Sequence, residues 1–269
     1  MKCDLHIHSS LSPDSGMEPE EIAACAQEAG VLLAAVCDHN ALREGGAMRA
    51  YGDVTLLFGT EFSTEIGHIL GLFITPDLFE GLGEAPYSAA QVLGRIRAQG
   101  GVAILAHPMC AKTRAFAAYL PWFDAVECYN SRAAFVRGRD YNSEAIAYFA
   151  ASDLAFVASS DAHLPHEVAN ACTELALEGE ALSADALRRA LQTGGRLFGA
   201  PAFPDDSALS GMIRSEKSGR KSWLHTVKLQ LKFYYGTVAR RLYALHLLFT
   251  RTLEGETKHD LISAGQEGQ

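Results

Sequence analysis

Seven short apolar runs recur through the first 200 residues, and most of them end on or beside a histidine or a carboxylate. They read "KCDLHIH" at 2–8, "LLAAVCDH" at 32–39, "VTLLFGTEF" at 54–62, "GHILGLFI" at 67–74, "VAILAHP" at 102–108, "AVECYN" at 125–130 and "AFVASSDAH" at 155–163. Helical stretches lie between several of them. "MEPEEIAACAQEAG" opens with acidic residues and closes on Gly30, while "SAAQVLGRIRAQGG" begins at a Ser cap and ends on Gly100-Gly101; "NSEAIAYFAASD" and "SADALRRALQTGG" behave alike. Strand, helix, strand repeated in this way predicts a parallel sheet or barrel. The 269 residues leave room for one α/β barrel of roughly 200–250 residues. In such a barrel the loops at the C-terminal ends of the strands converge, and the active site is assembled there.

His6 and His8 sit two residues apart, one strand period, so both imidazoles point to the same face. Asp38-His39 close the second run, Glu61 the third and His107 the fifth; Glu127 lies within the sixth, and Asp161 and His163 close the seventh. Taken singly, each has a plain structural explanation. His68 reads as a satisfied core or edge histidine, Asp38-His39 as a turn, Asp161 as a helix cap and Glu127 as a strand carboxylate facing solvent. Taken together, imidazoles and carboxylates at strand end after strand end point to metal. With no thiolate among them, the set suits Zn, Mn or Fe.

The six cysteines form no CxxC pair and no framework spacing, as expected of free thiols in a reducing compartment. No secretory signal follows Met1-Lys2, and the longest wholly apolar run, "VLLAAVC" at 31–37, is too short to span a bilayer. A cytoplasmic location is the expectation. Residues 1–200 carry 13 Lys+Arg against 25 Asp+Glu, whereas residues 201–269 carry 10 against 7. The acidic body argues against broad duplex nucleic-acid binding, which needs a basic footprint.

The texture changes near residue 200. The Pro-, Gly- and Ser-rich stretch at 201–222 reads as a linker. Residues 223–254 read as a basic amphipathic helix, with Val227, Leu231, Tyr234, Val238, Leu242, Leu245 and Phe249 recurring at helical spacing. Residues 255–269 read as a flexible tail. The apolar face of 223–254 suits packing on the barrel or a homo-oligomer, and its Lys and Arg suit peripheral contact with an anionic membrane surface.

The ordered motifs "DLHIHSSLSPDSG", "CDHN", "GTEFST", "GHILGL", "ILAHP", "VECYNS" and "SSDAH" resemble the PHP (polymerase and histidinol phosphatase) family over roughly residues 2–200. The resemblance implies a distorted (β/α)7 barrel, here with a C-terminal amphipathic helical extension. It also implies two or three divalent metal ions (Mn, Zn or Fe) that serve the hydrolysis of phosphate esters. Carried over residue by residue, His6, His8, Glu61 and Asp161 would hold one metal. Glu61 would bridge to a second, also bound by His68 and His107, and Asp14, His39 and His163 would hold a third. The gap between His8 and Asp14 is one residue longer than in the family's usual first motif. Glu61 would support the hydroxide, Asp161 or His163 would shuttle a proton to the leaving oxygen, and Glu127 would orient a ligand. Lys112, Arg114 and above all Arg132 are the expected phosphate-binding cations, guanidinium being the bidentate match for phosphate.

The expected activity is hydrolysis of a small phosphorylated molecule, a nucleotide or a short oligonucleotide end. The alternatives are a histidinol-phosphatase-like monoesterase, or a non-catalytic module acting through its basic tail on a membrane or partner. An amidohydrolase is disfavoured: it needs a lysine at a strand end, and between Lys2 and Lys217 only Lys112, on a loop, is present.

Overall fold

The computed structural model describes residues 1–135, 139–177, 181–219, 227–231, 233–234, 238 and 252–267. Its strands are β1 (Lys2–Ile7), β2 (Leu33–His39), β3 (Met48–Tyr51), β4 (Val54–Thr64), β5 (Gly67–Leu72), β6 (Val102–Ala106), β7 (Ala125–Asn130), β8 (Ala155–Ser159), β9 (Ala171–Glu174), β10 (Arg196–Gly199) and β11 (Leu253–Glu256). They form one sheet in the order β11-β10-β9-β1-β2-β4-β5-β6-β7-β8, with β3 paired outside on β4. Backbone bonds from His8 N to Ala162 O and from Asp161 N to His6 O, both 2.8 Å, bring the end of β8 back to β1. The sheet thereby curls into the distorted barrel expected from the resemblance.

The distortion has two sources. The pairs β1-β2, β2-β4, β6-β7 and β7-β8 are parallel, but β5 runs antiparallel to both β4 and β6. Only Glu65 and Ile66 separate β4 from β5, a hairpin connection too short for a crossover helix. Gly59 and Gly71 let this hairpin close tightly, because a Cβ at Gly59 would fall 2.6 Å from the Gly71 carbonyl oxygen. The second source is the β1-β8 seam, where the strands diverge and β9 also pairs with β1. There the buried Asp4 carboxylate accepts from Ser160 N and Ala169 N, both at 3.0 Å, replacing ladder bonds the strands cannot make. Burial pushes its pKa up to about 6 even against these bonds.

Apolar side chains sort by strand alternation. Leu33, Ala35, Cys37, Leu57, Leu70, Leu72, Ile104 and Val157 fill the barrel interior, and helix α4 (Ala184–Thr193) packs Leu187 and Leu191 against them. Outside, α1 (Pro19–Glu28) covers β2 and β4 with Ile22, Ala23 and Ala26. Helices α2 (Ala89–Ala98) and α3 (Tyr141–Phe149) cover the opposite wall with Val92, Ile96, Ile146 and Phe149.

The C-terminal segments differ from the sequence expectation. The expected linker at 201–222 contains α5 (Pro204–Lys217), with Pro204 at its first position and Asp206 Oδ2 accepting from Phe203 N at 3.0 Å. The expected flexible tail at 255–269 contributes to β11, which pairs antiparallel with β10, and α6 (Lys258–Glu267) follows it. Buried Leu253 and Leu261 and the Lys258 ammonium, bonded to the Ser152 and Leu154 carbonyls, tie this segment to the barrel. The expected helix over 223–254 falls mostly outside the described residues; within it, 227–231, 233, 234 and 238 are helical, with Leu231, Tyr234 and Val238 exposed, whereas Leu253 and Glu254 belong to β11.

Candidate metal centre

Strand register delivers the polar residues to one rim. Parallel pairing of β2 with β4 sets His39 beside Glu61, and β5-β6 pairing sets His68 opposite Ala106, one residue before His107. On β1 a bulge between Asp4 and Ile7 changes the phase of the alternation. Cys3 and Leu5 join the interior cluster, Ile7 packs outward beside α1, and His6 and His8 take the inner face. An isolated parallel bridge between Ile7 and Ala162 places these histidines beside Asp161 and His163. Asn40, His107 and Asp161 at this rim carry positive φ angles of 54°, 25° and 55°.

Glu61 lies at the centre, buried. Its Oε1 is 2.5 Å from His68 Nδ1 and 3.0 Å from His107 Nε2. Its Oε2 is 2.7 Å from His39 Nδ1, 3.4 Å from His8 Nε2 and 3.5 Å from His6 Nε2, yet no donor is aligned with it. Asp161 Oδ1 lies 3.1 Å from His8 Nε2 and 3.5 Å from His6 Nε2. On the far side, Asp14 Oδ1 stands 3.6 Å from His39 Nε2 and Oδ2 3.5 Å from His163 Nε2; Oδ1 is a second buried oxygen without a hydrogen bond. His6, His8 and Asp161 thus form one potential metal-binding group, Glu61, His68 and His107 a second, and His8, His39 and His163 a third.

The ring tautomers follow from outer partners. His6 Nδ1 bonds Glu127 Oε1 at 2.9 Å. His8 Nδ1 bonds Ser12 Oγ at 3.0 Å, and the Ser12 hydroxyl in turn donates to Asp38 Oδ1 at 2.7 Å. His163 Nδ1 bonds the Asp161 carbonyl at 2.8 Å. With each Nδ1 committed as donor, the Nε2 atoms carry the lone pairs. Those of His6 and His8 face each other across 3.1 Å, an arrangement that needs a proton or a metal ion between or beside them. This orphaned oxygen, these facing nitrogens and the purely imidazole–carboxylate donor set all fit divalent cations.

The outer layer is as buried as the inner. Glu127, far from facing solvent, is 1% exposed; besides His6 it accepts from His107 N at 2.9 Å and Asn130 Nδ2 at 3.1 Å. Asn130 Nδ2 also reaches Asp161 Oδ2 at 3.3 Å. Asp38 accepts from the backbone and hydroxyl of both Ser9 and Ser12, fixing the loop that leads to Asp14.

Electrostatics sort the imidazoles. Burial, reinforced by His163 and His39, holds His8 well below the ordinary histidine range and keeps it neutral. Burial also opposes charge on His39, but Glu61 and Asp14 outweigh it and raise its pKa to about 10. His6 and His107 are raised as well, against burial, by Asp161, Glu127 and Glu61. Burial works against the charge of Glu61 and Asp161, yet the surrounding imidazoles hold both below the usual carboxylate range. The buried carboxylates Asp14, Glu61, Glu127 and Asp161 together require cations, and in the metal-free state protons on histidines supply part of that charge.

The expected phosphate-binding cations have protein partners of their own or are exposed. Arg132, partly buried, makes a bidentate pair with Glu167, both N–O distances 2.9 Å, and also donates to Ser210 Oγ and the Asp206 carbonyl. Glu167 in turn accepts from His163 N and Leu164 N, so the Arg132–Glu167 pair supports the turn that carries His163. Arg114 lies 3.6 Å from Glu144, and Lys112 is exposed. Three cations beside the centre escaped sequence reasoning. Arg43 donates to Ser9 Oγ and Ser10 Oγ, Arg214 of α5 pairs with Asp14 Oδ2, and Lys217 donates to the carbonyls of Ser10, Ser12 and Ser15. Only the helix-start signal of Pro204, Asp205 and Asp206 hinted at α5.

Similar proteins agree with this architecture. A family model described as PHP-associated matches residues 139–195. The chain is 36% identical to the uncharacterized protein MJ1587 of Methanocaldococcus jannaschii over 122 residues, 40% of this chain and 68% of that one. It is 31% identical to the uncharacterized protein MJ0417 of the same organism over 180 residues, 64% of this chain and 69% of that one. Among solved structures it resembles PsfC from Pseudomonas syringae, with a TM-score of 0.58 at 14% identity over 82% of this chain and 98% of that one. It also resembles a two-domain protein from Bacteroides vulgatus containing a predicted PHP-like metal-dependent phosphoesterase, with a TM-score of 0.55 at 17% identity over 74% and 64% of the two chains. These two share its fold. With strand-end motifs in the family's order, a shared barrel, and two relatives matched over more than two thirds of their length, the chain belongs to the PHP family.

Proposed function

We propose that the chain is a metal-dependent phosphoesterase acting on a small phosphorylated molecule, a nucleotide or a short oligonucleotide end. The observation that carries this reading is Glu61, whose two carboxylate oxygens address two different imidazole groups while Oε2 has no aligned donor. His6, His8, Glu61 and Asp161 would hold one divalent cation, Glu61, His68 and His107 a second, and Asp14, His39 and His163 the third position. Bound there, Mn, Zn or Fe ions would supply an activated water and neutralise charge on the phosphoryl oxygens.

The chain's own residues do the rest. Glu127 and Ser12 hold the rings of His6 and His8 with Nε2 turned inward, and Asn130 steadies Asp161. Asp161 or His163 would pass a proton to the leaving oxygen. The acidic body disfavours a long duplex, so the substrate is a compact phosphate ester.

The test is hydrolysis of p-nitrophenyl phosphate and bis-p-nitrophenyl phosphate by the full-length protein, with and without added Mn2+. Turnover that requires metal and disappears with chelator is expected, and the preferred ester separates monoesterase from diesterase. Absence of turnover by protein that carries bound metal overturns the reading. A role for the 223–254 segment in self-association or at a membrane surface is a separate proposal. Co-sedimentation with anionic liposomes, compared between the full chain and one lacking 223–254, tests the membrane part.

A further inference from the structure

Helix α5 lies over the edge of the metal centre formed by Asp14, His39 and His163. Its Arg214 guanidinium contacts Asp14 Oδ2, the oxygen that faces His163 Nε2 across 3.5 Å. Three turns of chemistry dock the helix there. Lys217 Nζ donates to the carbonyls of Ser10, Ser12 and Ser15 at 2.7, 2.9 and 2.6 Å, gripping the very loop that carries Asp14. Arg132 reaches Ser210 Oγ at 3.1 Å, and Asp206 Oδ1 accepts from His166 Nε2 at 2.8 Å.

We infer that Arg214 is the third cation of this centre: two divalent ions bind tightly, and the guanidinium takes the place of a tightly held third. Asp14 is the carboxylate that faces both His39 and His163, and one of its two oxygens is already spent on Arg214. A divalent ion placed between Asp14, His39 and His163 would stand within a few ångströms of a guanidinium that cannot shed its charge. At that range like charges repel strongly in a partly buried site. Among the described residues, no arginine or lysine forms an ion pair with Glu61 or Asp161, the carboxylates of the first two groups. Half of the Arg214 side chain is exposed, so the contact can be removed without opening the core.

The inference rests on the metal-centre reading above, and metal stoichiometry separates the two. Metal-stripped, full-length protein is titrated with MnCl2 while free Mn2+ is followed by its electron paramagnetic resonance signal. The wild type is expected to bind two ions tightly and a third at least about tenfold more weakly. Arg214→Gln is expected to strengthen the third site by about tenfold or more and leave the first two unchanged. Arg139→Gln, which removes an exposed guanidinium paired with Glu144, is expected to change nothing. A wild type that binds three ions with equal affinity overturns the inference, and so does an Arg214→Gln variant with an unaltered third site. An equal gain from Arg139→Gln also overturns it, because the effect would then be one of net charge. In each of these cases the metal centre itself stands; a wild type that binds no Mn2+ overturns both.

Discussion

Ser12→Ala should weaken metal binding and stability together, although Ser12 is no ligand. Its hydroxyl, fully buried, donates to Asp38 Oδ1 at 2.7 Å and accepts from His8 Nδ1 at 3.0 Å and His39 N at 3.1 Å. Removing it leaves two buried N–H groups without an acceptor, at about 1–3 kcal/mol each. Partial relaxation brings the expected loss in the metal-free protein to about 2–4 kcal/mol, or about 5–15 °C in Tm for a chain of this size. The His8 ring also loses the bond that keeps Nδ1 protonated and Nε2 turned inward. Loss of such an outer partner costs about 10–100-fold in metal affinity, equivalent to about 1.4–2.8 kcal/mol. Thermal unfolding in chelator measures the first quantity, and chelator competition for Mn2+ measures the second. A variant with wild-type Tm in chelator and Mn2+ affinity within about twofold of wild type would refute the relay from Asp38 through Ser12 to His8.

Glu61→Gln keeps the shape but not the charge that two imidazole groups share, and it should lose bound metal and p-nitrophenyl phosphate turnover together; retained turnover contradicts the shared-carboxylate role. Arg132→Ala should strand the buried Glu167 charge and destabilise the fold by about 3–5 kcal/mol. An unchanged Tm with a raised KM would instead make Arg132 a substrate-binding group. His39 is raised from 6.5 to about 10 by Glu61 and Asp14, against burial. Its imidazolium therefore stabilises the metal-free fold fully below about pH 6.5, and this contribution is lost as pH rises through about 10. Metal must displace that proton, so Mn2+ affinity should rise with pH over the same window, with proton release detectable by calorimetry in buffers of different ionisation enthalpy. Affinity that is flat across the window would contradict it.

Much of the centre was legible because strand chemistry is local. Apolar runs ending in His39, Glu61, His107 or Asp161 announce both a buried strand and a polar rim, and the two-residue period of His6 and His8 sets their common face. The β1 bulge was not legible, because the alternation of Cys3 and Leu5 alone would have turned His6 away from the interior. Nor was the direction of β5, although the two-residue connection at Glu65-Ile66 carried the clue. The Arg132–Glu167 pair was not legible because the two residues lie 35 positions apart, and no local pattern reveals a pair formed by the fold. At 201–222, Pro, Gly and Ser content outweighed the capping signal of Pro204 and Asp206. β11 escaped because a short edge strand such as "LEGE" is specified by the neighbour it pairs with, here β10, rather than by its own propensity.

Elemental analysis of the purified, dialysed full-length protein tests the central claim most directly, because every role assigned here descends from divalent cations held between Glu61 and its imidazoles. At least two equivalents of Mn, Zn or Fe per chain, lost in Glu61→Gln, is the predicted result. A wild-type protein that retains no divalent metal, and takes up none from Mn2+-, Zn2+- or Fe2+-supplemented buffer, would contradict the account.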